Sequence, residues 1–371
     1  MSSIPTTQSA YVINGAKGEV KSVAVPKLAS GQVLIKNEAV AINPTDWKHV
    51  DFQLGVDGAI VGCDVAGTVV AVGEDVKGVK VGDQLFGLVS GASAITPENG
   101  GFAEYSAIYA DRSLKVGNKL EHAKGDSLPA GPVTTWEGAA SLPVGLITSL
   151  IGFVHWAKLP IHHESKFNDQ YFLVWGGASS LGQLVIQFAK KVGFKVIATA
   201  SSHNFDLLKE LGAEAVFDYH DKDVLEQISK HAGDDITYAY DTITTPPTTL
   251  NVYSVLSKTR ESVLLTSLNF DEKTIKEVNP KVKAIDFPLA YLAIDKKKKF
   301  GATGFEISSP AGLFEDTVKG VSEVNEGYAK DPAYLRHIPV KIVRGGLSAL
   351  DEALDIVRQG KNSGVKIVVP L

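Results

Sequence analysis

The run at residues 171–194, YFLVWGGASSLGQLVIQFAKKVGF, restricts the fold more than any other stretch of the chain. Tyr171–Trp175 is short, apolar and rich in aromatic and β-branched residues, which predicts a buried parallel strand. Gly176 and Gly177 break it. From Leu181 the apolar residues recur at helical spacing, at Leu184, Val185, Phe188, Ala189 and Val192, and Gly193 is placed to end the helix. Lys195–Thr199 reads as a second strand. Strand, tight turn, helix and strand make one βαβ unit, so the chain is α/β.

The turn carries most of a dinucleotide fingerprint. On the G-x-G-x-x-G template the positions are Gly177, Ser179 and Gly182. The first glycine permits the sharp turn, and the last permits close approach of helix to strand. The middle position, where backbone meets a pyrophosphate at the helix N-terminus, holds Ser179, which can cap the helix and donate its hydroxyl. Gly177, Ser179, Ser180, Leu181 and Gly182 are therefore the candidate phosphate contacts. A glycine-rich turn of this kind also serves α/β folds that bind no nucleotide. The next strand end adds information. Ser201, Ser202, His203 and Asn204 follow KVIAT, where an NAD site places an acid for the ribose 2′-hydroxyl. Hydroxyls and an imidazole suit a 2′-phosphate better than a carboxylate would. The expectation is NADPH, with NADH as the alternative cofactor. An ordinary polar loop is the competing reading.

With 371 residues, the length prior is about two to three domains. A net charge of −5 gives no reason to expect nucleic acid or an anionic membrane surface. The run Lys296, Lys297, Lys298, Lys299 reads as a solvated loop. The N-terminal residues lack a signal-peptide pattern, and the apolar segment near 142–156 is too broken for a membrane span. The chain has one cysteine, Cys63, so no internal disulfide can form and a reducing cytoplasm is expected. Residues 10–120 read as mostly β, with short runs punctuated by Gly, Pro and Asn. After residue 171 strands and helices alternate, with Asp241, Thr242 and Ile243 at one strand end. Residues 269–300 are poorly patterned.

The order AINPTDWK, GCDVAGTVVAVG, VGDQLFG, GGFAEY, LPVGLITS, the nucleotide turn, and GLSALDEALDIVRQGKNSGVKIVV resembles the medium-chain dehydrogenase/reductase superfamily across nearly the whole chain. Within it the chain is most similar to a zinc-independent fungal branch. That branch includes trans-acting enoyl reductases, toxin-biosynthesis reductases and yeast NAD(P)H-dependent aldehyde reductases. The resemblance implies a GroES-like, mostly β catalytic domain at 1–140 and 303–371, and a Rossmann domain with a doubly wound parallel sheet at 141–302. It implies that Thr148 faces the nicotinamide, a helix-carbonyl hydrogen bond being the competing role. It places Leu268 near the nicotinamide and Val365 near the cofactor, and it makes the motifs around Ser201 and Phe217 to Tyr219 ribose contacts. Tyr219 suits the adenosine ribose.

Zinc-dependent members resemble this chain but carry a Cys where Asn43 stands, a His where Cys63 stands and a third ligand near Gly145. A catalytic zinc needs three good ligands and an open position. The residues present predict no metal. Without a Lewis acid, a conjugated double bond or a reactive aldehyde is the easier substrate. Lys48, at the position of a functional Lys in the resembled enoyl reductases, is the first candidate for stabilising developing charge. Asp46 fixes local structure or orients the nicotinamide ribose, and Tyr105 is a further donor to consider. The expected activity is zinc-independent, NADPH-dependent reduction of the C=C bond of an α,β-unsaturated carbonyl compound, or of a quinone. The alternatives are an aldehyde reductase and a non-enzymatic cofactor-binding protein. The partner is a small carbonyl compound, and the chain is a monomer or a homodimer.

Overall fold

In a computed structural model of the chain, which describes residues 4–271, 273, 277–285, 288–301 and 304–371, the strand Tyr171–Trp175 lies inside a six-stranded sheet. Its neighbours on either side are Lys195–Thr199 and Ile236–Asp241, both parallel to it. Ala215–Phe217 extends one side, and Ser262–Thr266 then Val282–Ile285 extend the other, all in parallel pairings. Numbered along the chain, the strand order of this sheet is 3-2-1-4-5-6, the Rossmann order. The order reverses between the first and fourth strands. Ligands bind beyond the carboxyl ends there, where Gly176 and Asp241 stand.

The helix Ser180–Val192 forms as its apolar period predicts, with Leu184, Val185, Phe188, Ala189 and Val192 buried. Gly193 ends it at φ +118°, a conformation that an L side chain rarely adopts. Leu173, Ile197, Ile228, Ala239, Val252 and Leu264 supply the core on that sheet.

The chain divides into two compact units, Met1–Ile147 with Ala290–Leu371, and Thr148–Leu289. The expected junction at residues 302 and 303 lies outside the described residues, and the compact grouping changes earlier, at residue 290. The first unit is built on a seven-stranded sheet. Gln32–Ala41 pairs with Asp64–Val72, Tyr105–Tyr109 and Lys366–Pro370. Its register puts Ala41 opposite both Asp64 and Val368. Three strand ends therefore meet at one place, and the chain leaves Ala41 directly into the helix Pro44–Asp51. Val33, Ile35, Val65, Leu85, Phe102, Leu354 and Ile367 fill the core around them.

The described residues of the stretch 269–300 hold more regular structure than its patterning suggests. It contains the sixth nucleotide-sheet strand, a 3₁₀ turn at Ala290–Ala293, and the strand Lys297–Phe300, which pairs with Phe305–Ser308. This corrects the reading of the lysine run as a solvated loop. Lys297 and Lys299 are exposed, but Lys298 is 1% exposed. A strand sends alternate side chains to opposite faces, so one lysine of the run must point inward. Among the described residues no helix is long and apolar enough to cross a membrane.

Candidate functional site

In the second unit the glycine turn joins Tyr171–Trp175 to Ser180–Val192. Gly176 sits at φ +79°. A Cβ on Gly182 would lie 2.5 Å from the Gly176 carbonyl oxygen and 2.8 Å from Gly177 Cα, so only glycine allows the helix this close to the turn. Ser179 is the N-cap, its Oγ accepting the Gly182 N–H at 2.9 Å. The same hydroxyl lies 2.9 Å from Thr242 Oγ1, a residue of the neighbouring strand end that the fingerprint does not mark. Thr242 also donates to the carbonyls of Trp175 and Gly176, each at 2.9 Å. Ser179 therefore splints the turn to the fourth strand, while the Ser180 and Leu181 amides, in the first helical turn, have no intrahelical acceptor.

Beyond Lys195–Thr199 the structure brings Ser201 and Tyr219 together, with Oγ and OH 3.1 Å apart. Tyr219 is 45% exposed, and Ser202 and His203 are also exposed. Asn204 is turned inward, its Nδ2 3.1 Å from His203 Nε2. Asp218 accepts the His220 N–H at 3.0 Å and lies 2.7 Å from His220 Nδ1, and it also takes the Ser202 amide. These donors hold its carboxyl below the usual range, so this carboxylate is already occupied. Asp241 is fully buried and ends its strand by accepting from the Ile243 and Thr244 amides and the Thr248 and Thr249 hydroxyls. It is a structural hub for this loop. Thr148, on Pro143–Ile151, is half-buried, and Leu268 is 41% exposed. The pair His162 and His163 is exposed.

In the first unit the strand ends bury a polar cluster. Asp64 is fully buried and takes three groups: the Val144 N–H at 2.6 Å on Oδ1, and on Oδ2 both Asn43 Nδ2 and Lys366 Nζ at 2.8 Å, with Lys366 Nζ also donating to Asn43 Oδ1 at 2.5 Å. Val365, beside Lys366, is half-buried. Asp46 caps its own helix by accepting the Asn43 N–H at 2.6 Å, and its buried carboxyl also meets the Cys63 thiol. Burial pushes its carboxyl up to about 7, with the Asp64 carboxylate adding to the rise and the Asn43 amide opposing it.

That shift carries a sign. A raised carboxyl is most stabilising while protonated, so its contribution is complete below the unfolded value of 3.8 and is lost as pH rises towards about 7. Asp46→Asn keeps an acceptor for the cap and removes the charge. The wild type should therefore lose unfolding free energy against this variant between pH 4 and pH 7, by an amount on the order of 1 to 4 kcal/mol, read from urea unfolding at each pH. Parallel pH curves for the two proteins would show that Asp46 does not titrate there.

Lys48 follows on the same helix, half-exposed, with Nζ 5.7 Å from the centre of the Trp47 ring. The helix end is clamped by Arg358, whose Nε and NH2 reach the two Asp51 oxygens at 2.7 and 2.9 Å. Tyr105 is half-buried on its strand, with its backbone N–H given to Gln8 Oε1. Thr45, Tyr291 and Lys298 also belong to this cluster and were not marked by the sequence. Tyr291 and Lys298 fall in the unpatterned stretch, and their partners are distant in sequence.

Two family matches and a set of whole-chain similarities fit this architecture. Residues 29–118 match the alcohol dehydrogenase GroES-like domain, and residues 180–303 match the zinc-binding dehydrogenase family. The chain is 40% identical to an uncharacterized protein of Saccharomyces cerevisiae over 100% of this chain and 99% of that one. It is 32% identical to a trans-enoyl reductase of Aspergillus niger over 98% of this chain and 97% of that one. Its fold matches the quinone oxidoreductase of Coxiella burnetii with a TM-score of 0.68 at 22% identity, covering 98% of this chain and 99% of that one.

Proposed function

The chain belongs to the medium-chain dehydrogenase/reductase superfamily and is an NAD(P)H-dependent reductase of carbonyl or enoyl compounds; we propose that it uses NADPH, without zinc, to reduce the C=C bond of an α,β-unsaturated carbonyl compound. The relatedness to an enoyl reductase along the full chain is the observation that carries this reading. When bound, a dihydronicotinamide supplies the hydride. Everything else falls to the protein.

The residues of the second unit fit a dinucleotide. The Ser180 and Leu181 amides at a capped helix start suit a pyrophosphate, with Gly177, Ser179 and Gly182 shaping the turn. Ser201 and Tyr219 offer a hydroxyl pair, and the exposed Ser202 and His203 add donors for a 2′-phosphate. Asn204 is inward and serves by holding His203. In the second unit Thr148 and Leu268 are proposed as nicotinamide contacts; in the first, Val365 and Asp46 are proposed as cofactor contacts, and Lys48 is proposed to stabilise charge that develops on the carbonyl oxygen.

Zinc does not fit the residues of the first unit. Asn43 is committed to Asp64 and Lys366 through both ends of its amide. Cys63 is buried, and burial raises its thiol well above the ordinary range, away from the thiolate a metal needs. The Lys366 ammonium already occupies Asp64 at 2.8 Å. No metal step is therefore derived.

The testing assay follows NADPH and NADH absorbance with an enone, a quinone and an aldehyde, in EDTA, with product analysis. The expected product from an enal is the saturated aldehyde. An allylic alcohol would instead make the chain an aldehyde reductase, and oxidation of neither cofactor would remove the reading. In the same assay, Ser201→Asp should raise the NADPH Kd at least about tenfold, because a like charge would face the 2′-phosphate, while NADH changes little. Equal weakening of both cofactors would place Ser201 away from that phosphate.

A further inference from the structure

The N-terminal hairpin leaves one of its strands without a neighbour. Thr7–Asn14 and Lys17–Ala24 pair antiparallel through a two-residue turn at Gly15 and Ala16, and they form a sheet of two strands. Gly15 sits at φ +60°, the conformation that the first position of such a turn favours. The odd residues of Thr7–Asn14 bond away from the hairpin. The Tyr11 N–H donates to the Phe102 carbonyl at 2.8 Å and the Ile13 N–H to the Ala59 carbonyl at 3.0 Å, while the Tyr11 carbonyl accepts the Val61 N–H at 3.0 Å. The first strand is therefore held along both sides. Its even residues face Lys17, Glu19, Lys21 and Val23, and the ladder continues in the same phase where the Val25 N–H donates to the Thr6 carbonyl at 3.1 Å. Gly18, Val20 and Ser22 then turn their backbone N–H and C=O groups outward. Among the described residues these groups have no hydrogen-bond partner.

An open edge of this length is one that proteins ordinarily shorten, bulge or cover. Lys17–Ala24 runs for eight residues with no proline and no shift of register. Val20 at its middle is 45% exposed, and Lys17, Lys21, Ser22 and Ala24 are exposed too. Its lysines guard it against most strands, but its charge order suits one. Glu19 and Lys21 stand on one face, one residue to either side of Val20. In an antiparallel pairing about a two-fold axis through Val20, Glu19 meets Lys21 of a second copy and Lys21 meets Glu19 of that copy. Gly18 then lies opposite Ser22, and Val20 opposite Val20, so each outward N–H finds an outward C=O. A slip of one residue sets outward groups against inward ones and loses the ladder. A slip of two sets Lys21 against Lys21, or else Glu19 against Glu19 and Lys17 against Lys21. The strand is complementary to itself in one register.

We propose that Lys17–Ala24 is a dimerisation edge, on which a second copy of this chain adds the same strand antiparallel, with Val20 at the two-fold axis and a Glu19–Lys21 pair on either side of it. The two hairpins become one four-stranded sheet. A two-fold contact uses up both open edges, so assembly stops at the dimer. One strand from each copy buries little area, which sets the dimer at the weak end, with a Kd on the order of 10 to 100 μM. The proposal concerns assembly and is independent of the reductase reading.

The experiment is sedimentation velocity on the full chain, over a concentration series that spans this Kd. The wild type should pass from monomer to dimer. Val20→Pro removes the N–H at the axis. That N–H takes no part in the hairpin ladder, so the variant should keep its melting temperature and stay monomeric. Glu19→Lys and Lys21→Glu each set like charges against one another at both pairs, and each should weaken the dimer about tenfold. An equimolar mixture of these two variants opposes unlike charges again, and it should form a heterodimer with a Kd within about threefold of the wild type. The charge variants carry the test if Val20→Pro does not fold. A wild type that stays monomeric throughout the series would overturn the proposal, and so would a dimer that survives Val20→Pro in a folded protein. A mixture that associates no more tightly than either charge variant alone would overturn the register, and with it the assignment of this edge.

Discussion

Lys366→Met is expected to cost roughly 3 kcal/mol of stability, far more than a surface lysine would. The Lys366 side chain is 3% exposed and its partner Asp64 is fully buried, so the pair has little water to fall back on. Methionine fills most of the space and removes only the ammonium. Asp64 would keep the Val144 amide and the Asn43 side-chain donor, but its charge would be uncompensated. Asn43 Oδ1 would also lose its donor. The double variant Lys366→Met, Asp64→Asn removes both charges together and should regain most of the loss. Thermal and urea unfolding of the two variants and the wild type decide it. A single variant as stable as wild type would mean the ion pair contributes nothing. A double variant that loses the sum of two large effects would mean that packing, not charge, holds these strand ends together.

The elements around the nucleotide turn were legible because their signals are local. The strand, the two glycines, the helical period and Gly193 lie within one continuous run, and each follows from the residue next to it. The Rossmann order then adds what one βαβ unit cannot, the position of Thr242 beside Ser179 across 63 residues. The first unit was legible as β by its short runs, but its polar cluster was not. Tyr291 reaches Thr45 across 246 positions and Cys63 across 228, and no periodicity reports such a pair. Lys298 was misjudged for a different reason. A run of four lysines suggests solvent by composition, yet strand alternation decides which of them turns inward, and the strand itself was hidden in an unpatterned segment. Asn204 shows the same limit at smaller scale: a polar residue in a candidate phosphate loop is buried and braces its neighbour instead.

Lys48→Ala should lower kcat/KM by roughly ten- to a thousand-fold while leaving the melting temperature close to wild type. The structure offers a reason to choose this lysine among its neighbours. Lys366 is committed to Asp64, and Lys298 is buried under Tyr291. Lys48 is half-exposed, and among the described residues its ammonium makes no ion pair or hydrogen bond; its contact is with the Trp47 ring at 5.7 Å. Of these three lysines it is the one left free to meet a substrate oxygen. Its helix is held at the start by the Asp46 cap and at the end by the Arg358–Asp51 clamp, so the charge is presented from a fixed base. Because the side chain supports nothing else, truncation should be kinetic and not structural. If Lys48 only binds the ground state, KM will rise with kcat unchanged. If it stabilises charge formed during reduction, kcat itself will fall, and Lys48→Arg will restore part of it. Unchanged kinetics in Lys48→Ala would take the residue out of the site.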